Sequence, residues 1–210
     1  MPFYRDRVYP HLVSRLGDPA PIRAMRRRII PSAEGEVLEI GVGAGANFTH
    51  YDPAKVRKLY ALEPNLGMLR LAERQRRRTK LDVAFLDVPG ERIPLEDSSI
   101  DSVVSTFTLC TISDVVGAIR ELGRVVRPGG KLIFLELQRS PDPDIRRWQQ
   151  WWEPMQHRIY AGLFLTRDIP ALLTEGGFQI ERLSTAYLAR FPKAWTHCCW
   201  GTASAHAYER

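Results

Sequence analysis

Residues Glu36 to Phe48 read EVLEIGVGAGANF. Val37, Leu38 and Ile40 make a short apolar run, and Gly41, Gly43 and Gly45 follow it directly. The pattern is a strand entering a glycine-rich turn. Without a Cβ, glycine lets the chain bend tightly and lets a ligand touch the backbone. Free N–H groups at such a junction attract polar or anionic ligand groups. The next apolar segment, KLYALEPNLGML, ends in Glu63, which lies 22 residues after Gly41. That is about the spacing at which a carboxylate meets a ribose in nucleotide-binding βαβ units. A nucleoside cofactor site is the first expectation. Gly41, Gly43 and Ala46 also satisfy the dinucleotide pattern G-x-G-x-x-G/A, and a βα turn that binds nothing gives the same glycines.

Outward from this stretch the pattern alternates. Lys58 to Leu62 reads as a second strand, Pro64 to Arg78 as a helix with Leu66, Leu69 and Ala72 inward, and Leu81 to Leu86 as a third strand. Asn47 to Tyr51 reads as a short helix stopped at Pro53. Asp87 to Ser99 is a loop, and Ile100 to Thr106 is apolar enough for the middle of a parallel sheet. Ser113 to Val126 is an amphipathic helix with Val115, Ile119, Leu122 and Val126 on one face. Arg127 to Gly130 forms a turn, and Lys131 to Leu137 a fifth strand. Repeated alternation predicts an α/β fold, a doubly wound parallel sheet with helices on both faces. Its ligands bind beyond the carboxyl ends of the strands. Gly41 to Gly45, Glu63, Asp87 to Glu91 and Thr106 to Thr111 should therefore share one cleft.

The remainder is read more loosely. Tyr4, Val8, Leu12, Val13 and Leu16 recur at helical spacing, and a second segment runs from Pro21 to Ile30. Residues 1–31 are expected to form a helical lid whose Phe3, Tyr4 and Tyr9 either line a substrate pocket or pack on the core. A helix starting near Pro141 carries Trp148, Trp151, Trp152, Met155 and Ile159 as an apolar stripe. It reads as core, as pocket wall, or as an interfacial helix at a membrane surface beside Arg146, Arg147 and Arg158. Thr166 is the expected N-cap of a helix ending at Gly176. Phe178 to Ser184 and Trp195 to Ala205 read as strands. The chain of 210 residues is expected to be one domain: lid, cofactor core over 36–137, and substrate-side elements over 138–210.

Composition narrows the class. The net charge of +6 sits largely in Arg26–Arg28 and in Arg74, Arg76, Arg77, Arg78 and Lys80. These read as solvated helix faces, and no nucleic-acid module accompanies them. Three cysteines, Cys110, Cys198 and Cys199, give no disulfide framework and no metal-ligand spacing, so no metal site is expected. With no membrane-length apolar run and no signal-peptide core, a cytoplasmic protein is expected, as a monomer or homodimer.

LEIGVGAGANF, LEPN, LDVPGERIPLEDSSIDSVVSTFTLC and RELGRVVRPGGKLIFLE resemble, in order and spacing, the class I S-adenosylmethionine-dependent methyltransferases. Within them, TFTLCTI, the tryptophan-rich helix before a Thr-Arg pair and the aromatic C-terminal strand are similar to the thiol S-methyltransferases of the methyltransferase-like group. The acid before the first glycine (Glu39) and the RVVRPGG turn set the chain apart from dehydrogenases, and no Tyr-x-x-x-Lys hydride-transfer arrangement is present. The resemblance implies a seven-stranded Rossmann-like sheet of order 3-2-1-4-5-7-6 and S-adenosylmethionine as cofactor, with S-adenosylhomocysteine as product. It implies that Gly41, Gly43, Gly45 and Asn47 approach the cofactor, and that Glu39 supports their loop or the cofactor amino group. It places Glu63 and Pro64 at the ribose, Asp87, Gly90 and Glu91 at adenine, and Thr106, Phe107 and Leu109 beside the sulfonium. The methyl acceptor is expected to be a small molecule, a thiol first and a phenol, quinone or phospholipid headgroup second, with no nucleic acid. His197, His157 and Glu136 are the candidate catalytic side chains. Cys110 reads as a small buried hydrophobe or, less simply, as a participant near the methyl position.

Overall fold

The computed structural model describes residue 10 and residues 18–159, 162–189 and 191–205; the side chains of residues 156–159 lie outside this description. Helix α1 (Ala20–Ile29) leads through a 3-10 turn into strand β1 (Gly35–Ile40). Strand β2 (Val56–Leu62), helix α2 (Leu66–Arg76) and strand β3 (Val83–Leu86) follow, then β4 (Ile100–Thr106), helix α3 (Val115–Val125) and β5 (Val126–Leu137). The chain closes with α4 (Pro143–Ile159), α5 (Ile169–Glu175), β6 (Phe178–Tyr187) and β7 (His197–Ala205). The seven strands form one sheet in the order β3-β2-β1-β4-β5-β7-β6. All pairs are parallel except those of β7, which runs antiparallel to both β5 and β6.

Side-chain alternation along the strands divides the core into two layers. Leu38, Val103, Leu132 and Phe134 pack on one face with Ile119, Leu122 and Phe178. Val37, Val104 and Ile133 pack on the other with Ile30, Phe48 and Leu59. β4 is buried from end to end apart from Asp101, as its apolar run requires. No helix among the described residues is long and apolar enough to cross a membrane.

Several local expectations change. The segment after the glycines is a series of four-residue turns, not a helix, closed by Phe48 N–H to Gly45 O and His50 N–H to Asn47 O. In α2 the buried residues are Met68 and Ala72, whereas Leu66 stands 54% exposed. Asn65 caps this helix by accepting from Met68 N–H. Residues 127–130 bulge from the sheet, because Ile100 faces Val126 while Ser102 faces Lys131. Asp168, not Thr166, caps α5, and the Thr166 hydroxyl donates to Glu153 instead. The tryptophans of α4 do not form its buried face; Gln149 is the fully buried residue, and Trp151 is 74% exposed. The aromatics Phe3, Tyr4 and Tyr9 lie outside the described residues, as does most of the lid ahead of Asp18.

Candidate active site

A cleft of about 1580 Å³ opens beyond the carboxyl ends of β1, β2 and β4. At one end lies the glycine turn. Gly41, Gly43 and Gly45 have φ values of +67°, +56° and +80°, a region that side chains with a Cβ enter only under strain. A Cβ on Gly41 would overlap the Thr108 side chain, so the turn can sit against the β4 loop only as glycine. Over Gly43 the space is open, the nearest atom to a built Cβ being the Gly41 carbonyl at 4.0 Å. Glu63 ends β2 beside it. One carboxylate oxygen accepts from Gly43 N–H at 3.0 Å and the other from Asn65 N–H at 2.9 Å. Burial raises its pKa. Pro64, Gly90 and Glu91 also line the cleft. Gly90 is packed so closely on Ile40 that a Cβ would come within 2.7 Å of its Cδ1.

Behind the glycine turn is a buried polar network. Glu39 is 1% exposed and accepts from the Asn47 amide at 2.8 Å and the Tyr51 hydroxyl at 2.7 Å. Burial pushes its carboxyl up to about 7, although those bonds and the nearby Arg26 oppose the shift. Arg26, from α1, donates to Asn47 Oδ1 at 2.5 Å and to Thr106 Oγ1 at 2.9 Å. Its guanidinium lies over the Phe107 ring at 5.5 Å, and Asp18 lies 3.3 Å from its Nε. Phe107 itself has φ +57°, an uncommon conformation for an aromatic residue, just past the end of β4. Glu39 and Asn47 therefore brace the glycine turn from behind and do not line the cleft, while Thr106 and Phe107 do.

The arginine run was expected to be solvated. Arg27 and Arg28 are exposed, but Arg26 is 7% exposed and crosses between α1, the glycine turn and β4. The signal that reveals it is helical spacing: Ile22, Arg26 and Ile30 fall four apart, on the face that packs inward.

Four other placements differ from expectation. Asp87 is exposed and does not wall the cleft, because β3 ends at Leu86. Leu109 is fully buried; its carbonyl accepts from Arg167 at 2.5 Å. Glu136 is fully buried and does not face the cleft mouth. It accepts from the Ser105 hydroxyl at 2.7 Å, Thr108 N–H at 3.1 Å and Cys110 N–H at 3.3 Å, and so anchors the loop after β4. His197 is 5% exposed, within hydrogen-bonding distance of the Arg139 carbonyl at 2.7 Å, and packs on Tyr187 away from the cleft wall. The side chain of His157 lies outside the described residues.

The other end of the cleft is built from Cys110, Ile112, Leu137, Leu163, Leu188 and Phe191, with Trp195 at the mouth. Among the described residues, Cys110 is the one ionisable side chain on that wall, and burial beside Glu136 pushes its thiol well up.

Residues 38–134 match the family model of a methyltransferase domain. Human thiol S-methyltransferase TMT1A is 31% identical over 155 residues, covering 73% of this chain and 64% of that protein. A demethylmenaquinone methyltransferase of Renibacterium salmoninarum is 28% identical over 174 residues, covering 80% of this chain and 65% of its own length. The chain thus spans just under two thirds of each of these relatives. Among solved structures, a SAM-dependent methyltransferase from Aquifex aeolicus superposes with a TM-score of 0.61 at 20% identity, covering 94% of this chain and 98% of that one. With the glycine turn, the acid that follows β2 and the sheet order all in place, residues 38–134 form a methyltransferase domain, and the chain is similar in sequence and fold to S-adenosylmethionine-dependent methyltransferases.

Proposed function

We propose that the protein transfers a methyl group from S-adenosylmethionine to a small apolar acceptor, a thiol first. The walls suit that cofactor. The backbone over Gly43 is open, and the Glu63 carboxylate, with two of its lone-pair sites used, keeps others for hydroxyl donors. Glu63 would hold the ribose hydroxyls, Gly41, Gly43 and Gly45 the aminoacyl side, and Gly90 with Glu91 the adenine. When bound, the cofactor supplies a methyl group on a cationic sulfur that is already a good leaving group.

The single observation that carries the acceptor assignment is the composition of the far wall. Among the described residues that wall is largely apolar, and its one ionisable side chain, Cys110, is poorly suited to removing a proton. Such a wall aligns the acceptor and excludes water, which is most of what an in-line displacement requires. A thiol, with a pKa near 8.5, supplies some thiolate by itself. The Arg26 guanidinium, held at the cleft wall over Phe107, adds a positive potential that favours the charged nucleophile. The similarity to a thiol S-methyltransferase supports this reading. The similarity to a demethylmenaquinone methyltransferase supports the second reading, in which a phenol or quinone takes the methyl group. His197 and Glu136 serve structure in both readings. Incubating the protein and S-adenosylmethionine with thiols, phenols, quinones and amines, and following S-adenosylhomocysteine release, separates them. Release with thiols is expected; release with phenols or quinones and none with thiols replaces the first reading by the second.

A further inference from the structure

We propose that the acceptor carries a long apolar tail, and that a second hollow beside the cleft is the subsite for it. The hollow, about 490 Å³ and shallow, lies between α4 and the turn at residues 192–195. Ile145, Trp148, Pro192, Ala194 and Trp195 form its walls. Pro192 and Trp195 wall the main cleft as well, so the two spaces meet across this turn. An acceptor with its reacting atom in the cleft can lay a chain over Pro192 and Trp195 into the hollow.

The walls are fixed in the protein as it stands. Gln149, fully buried, accepts from Ser140 N–H and donates to the Ala194 carbonyl, both at 2.9 Å, and so ties α4 to the turn. Within the turn, the Thr196 hydroxyl donates to the Pro192 carbonyl at 3.0 Å and Trp195 N–H to the same carbonyl at 3.1 Å. Trp148 meets Trp195 edge-on with centroids 5.7 Å apart, and Trp152 continues the aromatic row at 5.5 Å from Trp148. The two charged groups at the rim are turned to other partners: Asp144 to Arg147, and Lys193 to the Tyr187 ring. Phe191 and Trp195 nonetheless stay 43% and 42% exposed at the mouth of the cleft. Large aromatics left in water beside a concave site mark apolar binding surface. Apart from Asp144 and Lys193 at the rim, the described residues of the hollow are apolar, so a straight alkyl chain is the chemistry that fits.

This inference rests on the acceptor site assigned above, and the test keeps the two separable. Straight-chain alkanols from hexanol to dodecanol have no thiol to methylate. Their binding to the full chain is read by the change in tryptophan fluorescence. Affinity should rise about threefold per added methylene, somewhat less than full burial of each would give. Ile145→Asp and Ala194→Asp, each placing a charge in the wall, should flatten the series. A flat series in the unaltered protein overturns the subsite whatever the acceptor chemistry is. A series that keeps its slope in both variants also overturns it, because the chain then lies elsewhere. If instead either substitution converts a dimer to a monomer by light scattering with alkanol binding unchanged, the hollow is an interface between copies and the proposal fails. A steep series that the variants flatten, with no thiol turned over, leaves the subsite standing and removes the thiol reading.

Discussion

At the glycine-turn end of the cleft, Arg26, Glu39, Asn47, Tyr51 and Thr106 share buried hydrogen bonds that reach from α1 to β4. At the other end, Leu163, Leu188, Phe191 and Trp195 present apolar surface, and among the described residues no such side-chain network joins them. The first end is specified by partners: each polar atom fixes another, and a loop that must hold one cofactor in one orientation is fixed with it. The second end is specified by shape, which suits an acceptor that brings its own reactivity. On the proposed reading, Glu39 and Arg26 serve first to hold the scaffold, and the reaction would be left largely to alignment.

The sharpest way to break this contrast is to remove the cation that ties the first end together. Arg26→Met strips hydrogen bonds from Asn47 and Thr106, removes the cation near Glu39 and leaves Asp18 with Arg23 alone. A loss of about 3–5 kcal/mol in urea unfolding is expected. A loss under 1 kcal/mol would show that the network is incidental.

Next in size is a pH effect. Burial lifts the Glu39 carboxyl from 4.5 to about 7. Below about pH 4.5 the group is neutral folded or unfolded, so its stabilising margin is fully present there. That margin is lost as the pH rises through 7, where folding must carry a buried charge. At 1.36 kcal/mol per pKa unit, the stability difference between the protein and Glu39→Gln should change by roughly 3 kcal/mol across this window. Unfolding measured at a series of pH values checks it, and parallel curves for the two proteins would show that folding does not shift the Glu39 carboxyl.

Glu63→Ala sharpens the comparison at the cofactor itself. Loss of a charge-assisted contact should weaken S-adenosylmethionine binding by about 1.5–3 kcal/mol in calorimetry. Unchanged affinity would mean that Glu63 only braces Gly43. The smallest effect is expected on the outer face of α1. Arg27→Met and Arg28→Met, next to Arg26 in sequence and exposed, should each change stability by less than about 0.5 kcal/mol.

Much of this architecture was legible. The apolar run Ile100 to Thr106 is the observed β4 residue for residue, because a strand buried on both faces leaves no alternation to blur its ends. Gly41, Gly43 and Gly45 marked the turn because only glycine tolerates those φ values cheaply. What escaped were the choices made by tertiary contacts. Arg26 looked like its neighbours until the packing of α1 showed which face turns inward. Thr166 and Asp168 were both chemically able to cap α5, and Glu153 took the first. The α4 tryptophans suggested a buried stripe, yet Gln149 is held in the interior by backbone partners at Ser140 and Ala194 that no local pattern reveals. Glu136 looked catalytic from its place at the end of β5, but three donors occupy it: the Ser105 hydroxyl of β4 and the Thr108 and Cys110 N–H groups of the loop that follows.

The most direct test of a cleft that aligns but does not deprotonate is the pH dependence of S-adenosylhomocysteine release with a set of thiols of graded acidity. If the far wall supplies no base, the rise in kcat/KM with pH should follow each thiol's own pKa, moved down by a common amount through Arg26. A rise at one fixed pH for every thiol, independent of its acidity, would reveal a titrating base in the protein and contradict the account.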